Sequence, residues 1–180
     1  MKALLDANVL YPTVMREILL GAAKAGFYRP LWSPRLIEEW MRAAERRSAA
    51  DRALAEGDAA RVRTSFPKAM VTPGEGLLAR LWLPDPADIH VLAAAIAGNA
   101  DLIVTQNARD FPRNVLREEG LERIDADGLL MGFWQADPDR MAGVVESVRA
   151  EAERLSGEDW PVRKLLKKAR LPRLGKALAA

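Results

Sequence analysis

No cysteine occurs anywhere in the chain, so disulfides, thiolate zinc sites and cysteine nucleophiles are excluded together. A reducing, cytoplasmic setting agrees with that lack. Histidine is nearly as scarce. The single imidazole, His90, removes the zinc-hydrolase designs that draw on two or three of them and weakens any Ser-His-Asp triad. His90 lies among Ile89, Val91 and Leu92, where a packing or helix-surface place is favoured over catalysis. A metal in this chain must therefore be held by oxygen ligands, which points to magnesium or manganese. Long apolar runs are also missing: none approaches the ~20 residues needed to cross a bilayer. The opening Met1-Lys2-Ala3-Leu4-Leu5-Asp6 is too short an apolar stretch for a cleaved leader, and Asp6 interrupts it. Net charge is small, at +2, so the overall balance says little about partners. Its distribution says more. Residues 163 to 180 hold Arg163, Lys164, Lys167, Lys168, Arg170, Arg173 and Lys176 without one acid. That reads as a solvated basic tail or helix, either solubilising or directed at nucleic acid or an acidic partner.

What is present is an ordinary globular composition, 49% hydrophobic over 180 residues, sufficient for one compact domain with an appendage. Lys2 to Leu5 predicts a buried first strand closed by Asp6. Thr13 predicts a helix cap, followed by Val14, Ile18, Leu19 and Ala22 at helical spacing and ended by Gly26. Phe27 to Trp32 predicts a second strand. Ser33-Pro34 then opens a helix through Leu36, Ile37, Trp40, Met41 and Ala44. Residues 45 to about 66 predict exposed helix broken at Gly57, and Ala69 to Val71 a third strand stopped by Thr72-Pro73-Gly74. Asp85-Pro86-Ala87-Asp88 starts the clearest helix, with Ile89, Leu92, Ala93 and Ile96 on one face and Gly98 at its end. Leu102-Ile103-Val104 is a β-branched strand leading into Thr105-Gln106-Asn107; Asn114 predicts a cap for a short helix, and Ile124 a last strand. The alternation predicts an α/β fold with a parallel central sheet covered on both faces. Residues 1 to 126 form this domain, and 127 to 180, with Trp134 and Trp160, a helical C-terminal extension bearing the basic tail.

In such sheets ligands collect beyond the carboxyl ends of the strands. Asp6 follows the first strand, Asn107 and Asp110 follow the Leu102 strand, Asp85 and Asp88 sit at a helix start, and Glu38 and Glu39 lie one turn into the helix after the second strand. Crowded carboxylates repel unless protonated or neutralised by a cation, which is the physical reason to expect a metal. The matching reaction is phosphodiester hydrolysis by metal-activated water. Each acid has a plainer alternative. Asp85 before Pro86 is a good N-cap, Asp88 a partner for the helix dipole, one of Glu38 and Glu39 a solvated helix residue, and Asp110 a turn cap before Phe111-Pro112. Asp6 is hardest to explain structurally, because a carboxylate closing a buried strand is costly.

Taken in order, Leu4-Leu5-Asp6-Ala7-Asn8-Val9-Leu10, Ser33-Pro34-Arg35-Leu36-Ile37-Glu38-Glu39-Trp40, Asp85-Pro86-Ala87-Asp88 before an alanine-rich helix, and Ile103-Val104-Thr105-Gln106-Asn107-Ala108-Arg109-Asp110-Phe111-Pro112 resemble the motifs of PIN-domain ribonucleases. The resemblance spans roughly residues 1 to 126. It implies a three-layer α/β/α domain and a Mg2+- or Mn2+-dependent endoribonuclease acting on single-stranded RNA. It further implies a toxin of VapC type, paired with an antitoxin and forming a homodimer. On the family's pattern the catalytic and metal-holding acids are Asp6, Glu39, Asp88 and Asp110. Thr105 is similar to the hydroxyl residue beside the site, and Asn107 stands where many members carry aspartate; with Asp85 these are accessory positions. Two alternatives stand beside it. One is an inactive PIN-like module that binds RNA or a partner. The other is an aspartate-nucleophile phosphohydrolase built on Asp6, which needs a lysine near the later motif, where none lies between Lys68 and Lys164.

Overall fold

Ala3, Leu4 and Leu5 are fully buried, and this unbroken apolar run places the first strand at the centre of a sheet covered on both faces. In the computed structural model, which describes residues 1–179, the order is β1 (Lys2–Leu5), α1 (Ala7–Leu10), α2 (Thr13–Lys24), β2 (Arg29–Leu31), α3 (Pro34–Glu45), α4 (Ala49–Ser65) and α5 (Glu75–Arg80). A 3-10 turn (Pro86–Asp88) follows, then α6 (Ile89–Ala97), β3 (Leu102–Val104), α7 (Arg113–Glu118), β4 (Glu122–Ile124), α8 (Ala126–Ala136), α9 (Pro138–Ser156), α10 (Val162–Lys168) and α11 (Pro172–Ala177). Among the described residues the strands form a four-stranded, wholly parallel sheet in the order β2-β1-β3-β4. Leu4 is in register with Leu31 on one side and Ile103 on the other, while Ile103 faces Arg123 of the edge strand. Pro30 is tolerated in β2 because that strand is an edge. The fold is thus the α/β class with a parallel sheet that the strand–helix alternation predicts, with further helices toward the C-terminus. No described helix is long and apolar enough to cross a membrane.

Several local expectations are corrected. The strand at Ala69–Val71 is reduced to a single parallel bridge between Trp32 and Met70, held by Trp32 N–H on the Ala69 carbonyl at 3.0 Å and Val71 N–H on the Trp32 carbonyl at 2.8 Å. Thr72-Pro73 leaves no room to extend it. Gly57 does not break α4. Its helix cost of about 0.5–1 kcal/mol is outweighed by the buried stripe of Ala55, Ala59 and Val62. Thr13 and Asn114 fall inside their helices, and Pro12 and Pro112 occupy the caps.

The chain forms two compact units, Met1–Tyr11 with Arg29–Ile124, and Pro12–Tyr28 with residues from Asp125 onward. The first holds the sheet. In the second, Phe27 and Tyr28 stack on Phe133 at 5.0 and 5.5 Å, and Gly21 lets α2 approach Val144 so closely that a Cβ there would lie 2.8 Å from its Cγ1. The basic stretch is not a loose tail. Leu165, Leu166, Leu171 and Leu174 are buried while the cations stay outside.

Asp127, at the start of α8, supplies the cap that α11 lacks locally. Its Oδ2 accepts from Arg173 N–H at 2.9 Å and its Oδ1 from Leu174 N–H at 3.0 Å. Asp127→Ala strands those donors, so it should lower the unfolding free energy by about 1–3 kcal/mol. Urea denaturation followed by circular dichroism measures the difference.

Candidate metal centre

The sheet order reverses direction at β1, whose successor β2 lies on one side and β3 on the other, so a crevice is expected between the carboxyl ends of β1 and β3. Asp6 and Thr105 are the residues that leave those two strands. Asp6 N–H still donates to the Val104 carbonyl at 3.1 Å, continuing the strand pairing, and the chain then turns into α1. The Asp6 side chain does not cap α1. Its Oδ2 instead accepts from Thr105 Oγ1 at 2.7 Å and from Asn8 Nδ2 at 2.6 Å. Thr105 Oγ1 in turn accepts from Asn8 Nδ2 at 3.0 Å and from Asn107 N–H at 2.9 Å, and Asn8 Oδ1 accepts from Gln106 N–H at 3.0 Å. Asn8 therefore clamps the two strand ends together. Within the Leu4–Leu10 motif the sequence assigns Asn8 no role of its own. Its position two residues past Asp6 is the one signal the sequence carries for this contact.

Burial pushes the Asp6 carboxyl above its ordinary value; the Thr105 and Ala7 hydrogen bonds pull the other way, the Glu39 charge adds to the rise and His90 opposes it.

Helix α3 starts where the sequence places it. Ser33 Oγ accepts from Leu36 N–H at 3.2 Å and Pro34 occupies the first turn. Leu36, Ile37 and Trp40 are buried, and this fixes the helix rotation and sends the two neighbouring glutamates different ways. Glu38 pairs with Arg42 at 3.1 Å and Arg52 at 3.4 Å. Glu39 accepts from His90 Nε2 at 2.9 Å and from Arg35 Nε at 3.2 Å. Burial works upward on Glu39, but the His90 and Arg35 contacts outweigh it and hold the carboxyl below its ordinary value. His90 is thus buried, as its apolar setting predicts, yet its one bonded nitrogen touches an acid of the constellation. Its Nδ1 is buried with no hydrogen-bond partner.

Asp85 caps the 3-10 turn through Oδ1 on Ala87 N–H at 2.9 Å, and Arg35 Nη2 donates to the Ala87 carbonyl at 3.3 Å, tying this turn to the start of α3. The turn brings Asp85 and Asp88 together with Asp110: one carboxylate oxygen from each lies within 4.8 Å of the others. Asp85, read as accessory or as a cap, is therefore both a cap and a member of the tightest acidic group. Asp6 and Glu39 lie outside that trio. Asp88 links the two sets, since the charges of Asp6, Asp85 and Asp110 all act on it. Asn107 donates through Nδ2 to Asp110 Oδ2, so its amide orients the neighbouring carboxylate. The donor set is entirely oxygen and of one charge sign, which fits a hard divalent cation.

Asp88 carries the cost of this crowding. Burial first, then Asp6, Asp85 and Asp110, raise its carboxyl from 3.8 to about 6. A group raised in the folded state stabilises the fold below its unfolded value, and that contribution is lost as pH climbs through the folded value. Without added metal, the urea midpoint should therefore fall as pH rises from about 4 to about 6. Asp88→Asn should flatten this slope, and denaturation curves across that range test it.

A model of the PIN domain matches residues 2–109, well over half of the chain. The match includes Asp6, Glu39, Asp85, Asp88 and Asn107 and stops one residue before Asp110. No curated protein and no solved structure matches the chain. On the extent of that match, and with the acidic residues gathered where a parallel sheet changes direction, this chain belongs to the PIN-domain family.

Proposed function

We propose that the chain is a metal-dependent endoribonuclease that hydrolyses phosphodiester bonds in single-stranded RNA, and that it is the toxin of a toxin–antitoxin pair. The observation that carries the nuclease reading is the convergence of Asp85, Asp88 and Asp110 on one spot, electrostatically joined to Asp6 through Asp88. In this reading Asp6, Glu39, Asp88 and Asp110 hold Mg2+ or Mn2+, with Asp85 beside them. Such a cation supplies neutralisation of phosphate charge and a bound water of lowered pKa.

The protein's own residues prepare that chemistry. Thr105 and Asn8 fix the Asp6 carboxylate in one orientation through Oδ2. His90 and Arg35 keep Glu39 ionised despite its partial burial. Asn107 holds Asp110 through its amide, without adding a negative charge of its own. The lack of a lysine between Lys68 and Lys164 leaves the phospho-aspartate alternative without its usual cation. A homodimer in the cytoplasm, held inactive by a small antitoxin, completes the proposal; a neighbouring reading frame for a small DNA-binding protein supports it and the lack of one weakens it.

Asp6→Asn should lower kcat/KM for single-stranded RNA by at least about a hundredfold while circular dichroism stays unchanged. Full cleavage by this variant in magnesium would sink the assignment. Calorimetric titration with manganese addresses the inert-module alternative. Wild type should bind and Asp88→Asn should bind more weakly, whereas no heat from wild type favours a module without catalysis.

A further inference from the structure

The cations of α10 and α11 are absorbed neither by the metal site nor by the packing of the second unit. Arg173 is taken by Asp125 and Asp127. Arg163, Lys164, Lys167, Lys168, Arg170 and Lys176 are all exposed, and among the described residues none of them has an acidic partner. The preceding helix behaves differently. Along α9, Arg149 pairs with Glu146 and Glu153, and Arg154 with Glu151. The chain thus neutralises its arginines on one helix and leaves the next cluster bare.

Two further observations show how this charge is held: one is a stabilising contact and the other a strained backbone. Lys164 and Lys168, one helical turn apart, both lie over the Trp160 ring, at 5.3 and 4.6 Å from its centroid. Attraction to the ring offsets part of the repulsion between these two cations, which stay exposed on one side of α10 where a polyanion can reach them. Arg170 has φ +60 at the end of α10, a left-handed conformation that glycine adopts without strain and an L side chain does not. An arginine stands where glycine is the easier choice.

We propose that the exposed basic face of α10–α11 binds the sugar-phosphate backbone of single-stranded RNA. The inference rests on the ribonuclease reading only for the choice of polyanion. In the unit that holds the sheet, basic and acidic residues are equal in number and three of the acids converge at the metal centre, so that unit offers a polyanion no net attraction. The excess positive charge lies in the second unit. A membrane surface is the poorer match. The apolar side of this helix pair is spent on Leu165, Leu166, Leu171 and Leu174, which are buried and unavailable for insertion.

The test measures binding of a fluorescent single-stranded RNA oligonucleotide to full-length Asp6→Asn protein in EDTA, as a function of salt. Adding Arg163→Gln, Lys167→Gln, Arg170→Gln and Lys176→Gln should weaken binding at least tenfold at low salt. It should also reduce the slope of log K against log salt by about 2–3, since each lost single-strand phosphate contact removes about 0.7. Arg170→Gly alone should raise the melting temperature while weakening RNA binding, an opposition that damaged folding does not produce. Unchanged affinity and slope in both variants overturn the inference, as does capture of phosphatidylserine vesicles or a polyglutamate peptide with no binding of RNA. RNA binding that depends on these residues, in a wild-type protein that never cleaves RNA, supports the surface and removes the nuclease reading instead.

Discussion

Asp6 sits at the buried end of the central strand, where a charge is costly, and much of the surrounding local structure serves to keep it there. A carboxylate out of water is costly unless it is hydrogen-bonded. Thr105 and Asn8 provide those bonds from β3's end and from α1. The same three side chains also pin the exits of β1 and β3 to one another, beyond the last strand pairing of Leu5 with Val104. The polar cluster is therefore structural and chemical at once. It closes the switch point of the sheet and presents an acid there.

Around that anchor the molecule accumulates unfavourable charge. Asp88 answers by taking up its proton more readily, its carboxyl rising to about 6 under burial and the charges of Asp6, Asp85 and Asp110. Glu39 is treated oppositely, held ionised by His90 and Arg35. Two acids of one constellation thus have their proton affinities pushed apart by their surroundings, a pattern found where groups serve binding or catalysis. A divalent cation held by these oxygens would offset that repulsion. His90 makes its hydrogen bond through Nε2 to Glu39, so the imidazole acts here on that acid.

The second unit manages charge by separation. Its leucines on α10 and α11 are buried, Asp127 caps α11 from a distance in sequence, and the remaining cations are left without acids. On α9 the paired arginines and glutamates contribute little individually, as exposed ion pairs do. The contrast between the two stretches is one of composition, acids interleaved with arginines on α9 and none after Arg163, and it separates a solvated helix from a surface with an unbalanced field.

Local signals were legible in the sequence by itself. The apolar run before Asp6 and the β-branched run at Leu102 to Val104 specify buried parallel strands, and Ser33-Pro34 and Asp85-Pro86 specify turn and helix starts; these depend on neighbours a few residues away. The acids at the strand ends could be named for the same reason, because a parallel sheet delivers its strand ends to one edge. Only the tertiary structure decided what each acid touches. The rotation of α3 on Leu36, Ile37 and Trp40 separates Glu39 from Glu38, and the pairing of β1 with β3 brings Thr105 to Asp6 across 99 residues of chain. The 3-10 turn puts Asp85 among the acids it was expected only to accompany. The basic C-terminal stretch turned out to be packed helix because burying its leucines outweighs the hydration of a free tail. Periodicity records which face of a segment is apolar, but a partner is set by which faces meet, and that is a property of the folded whole.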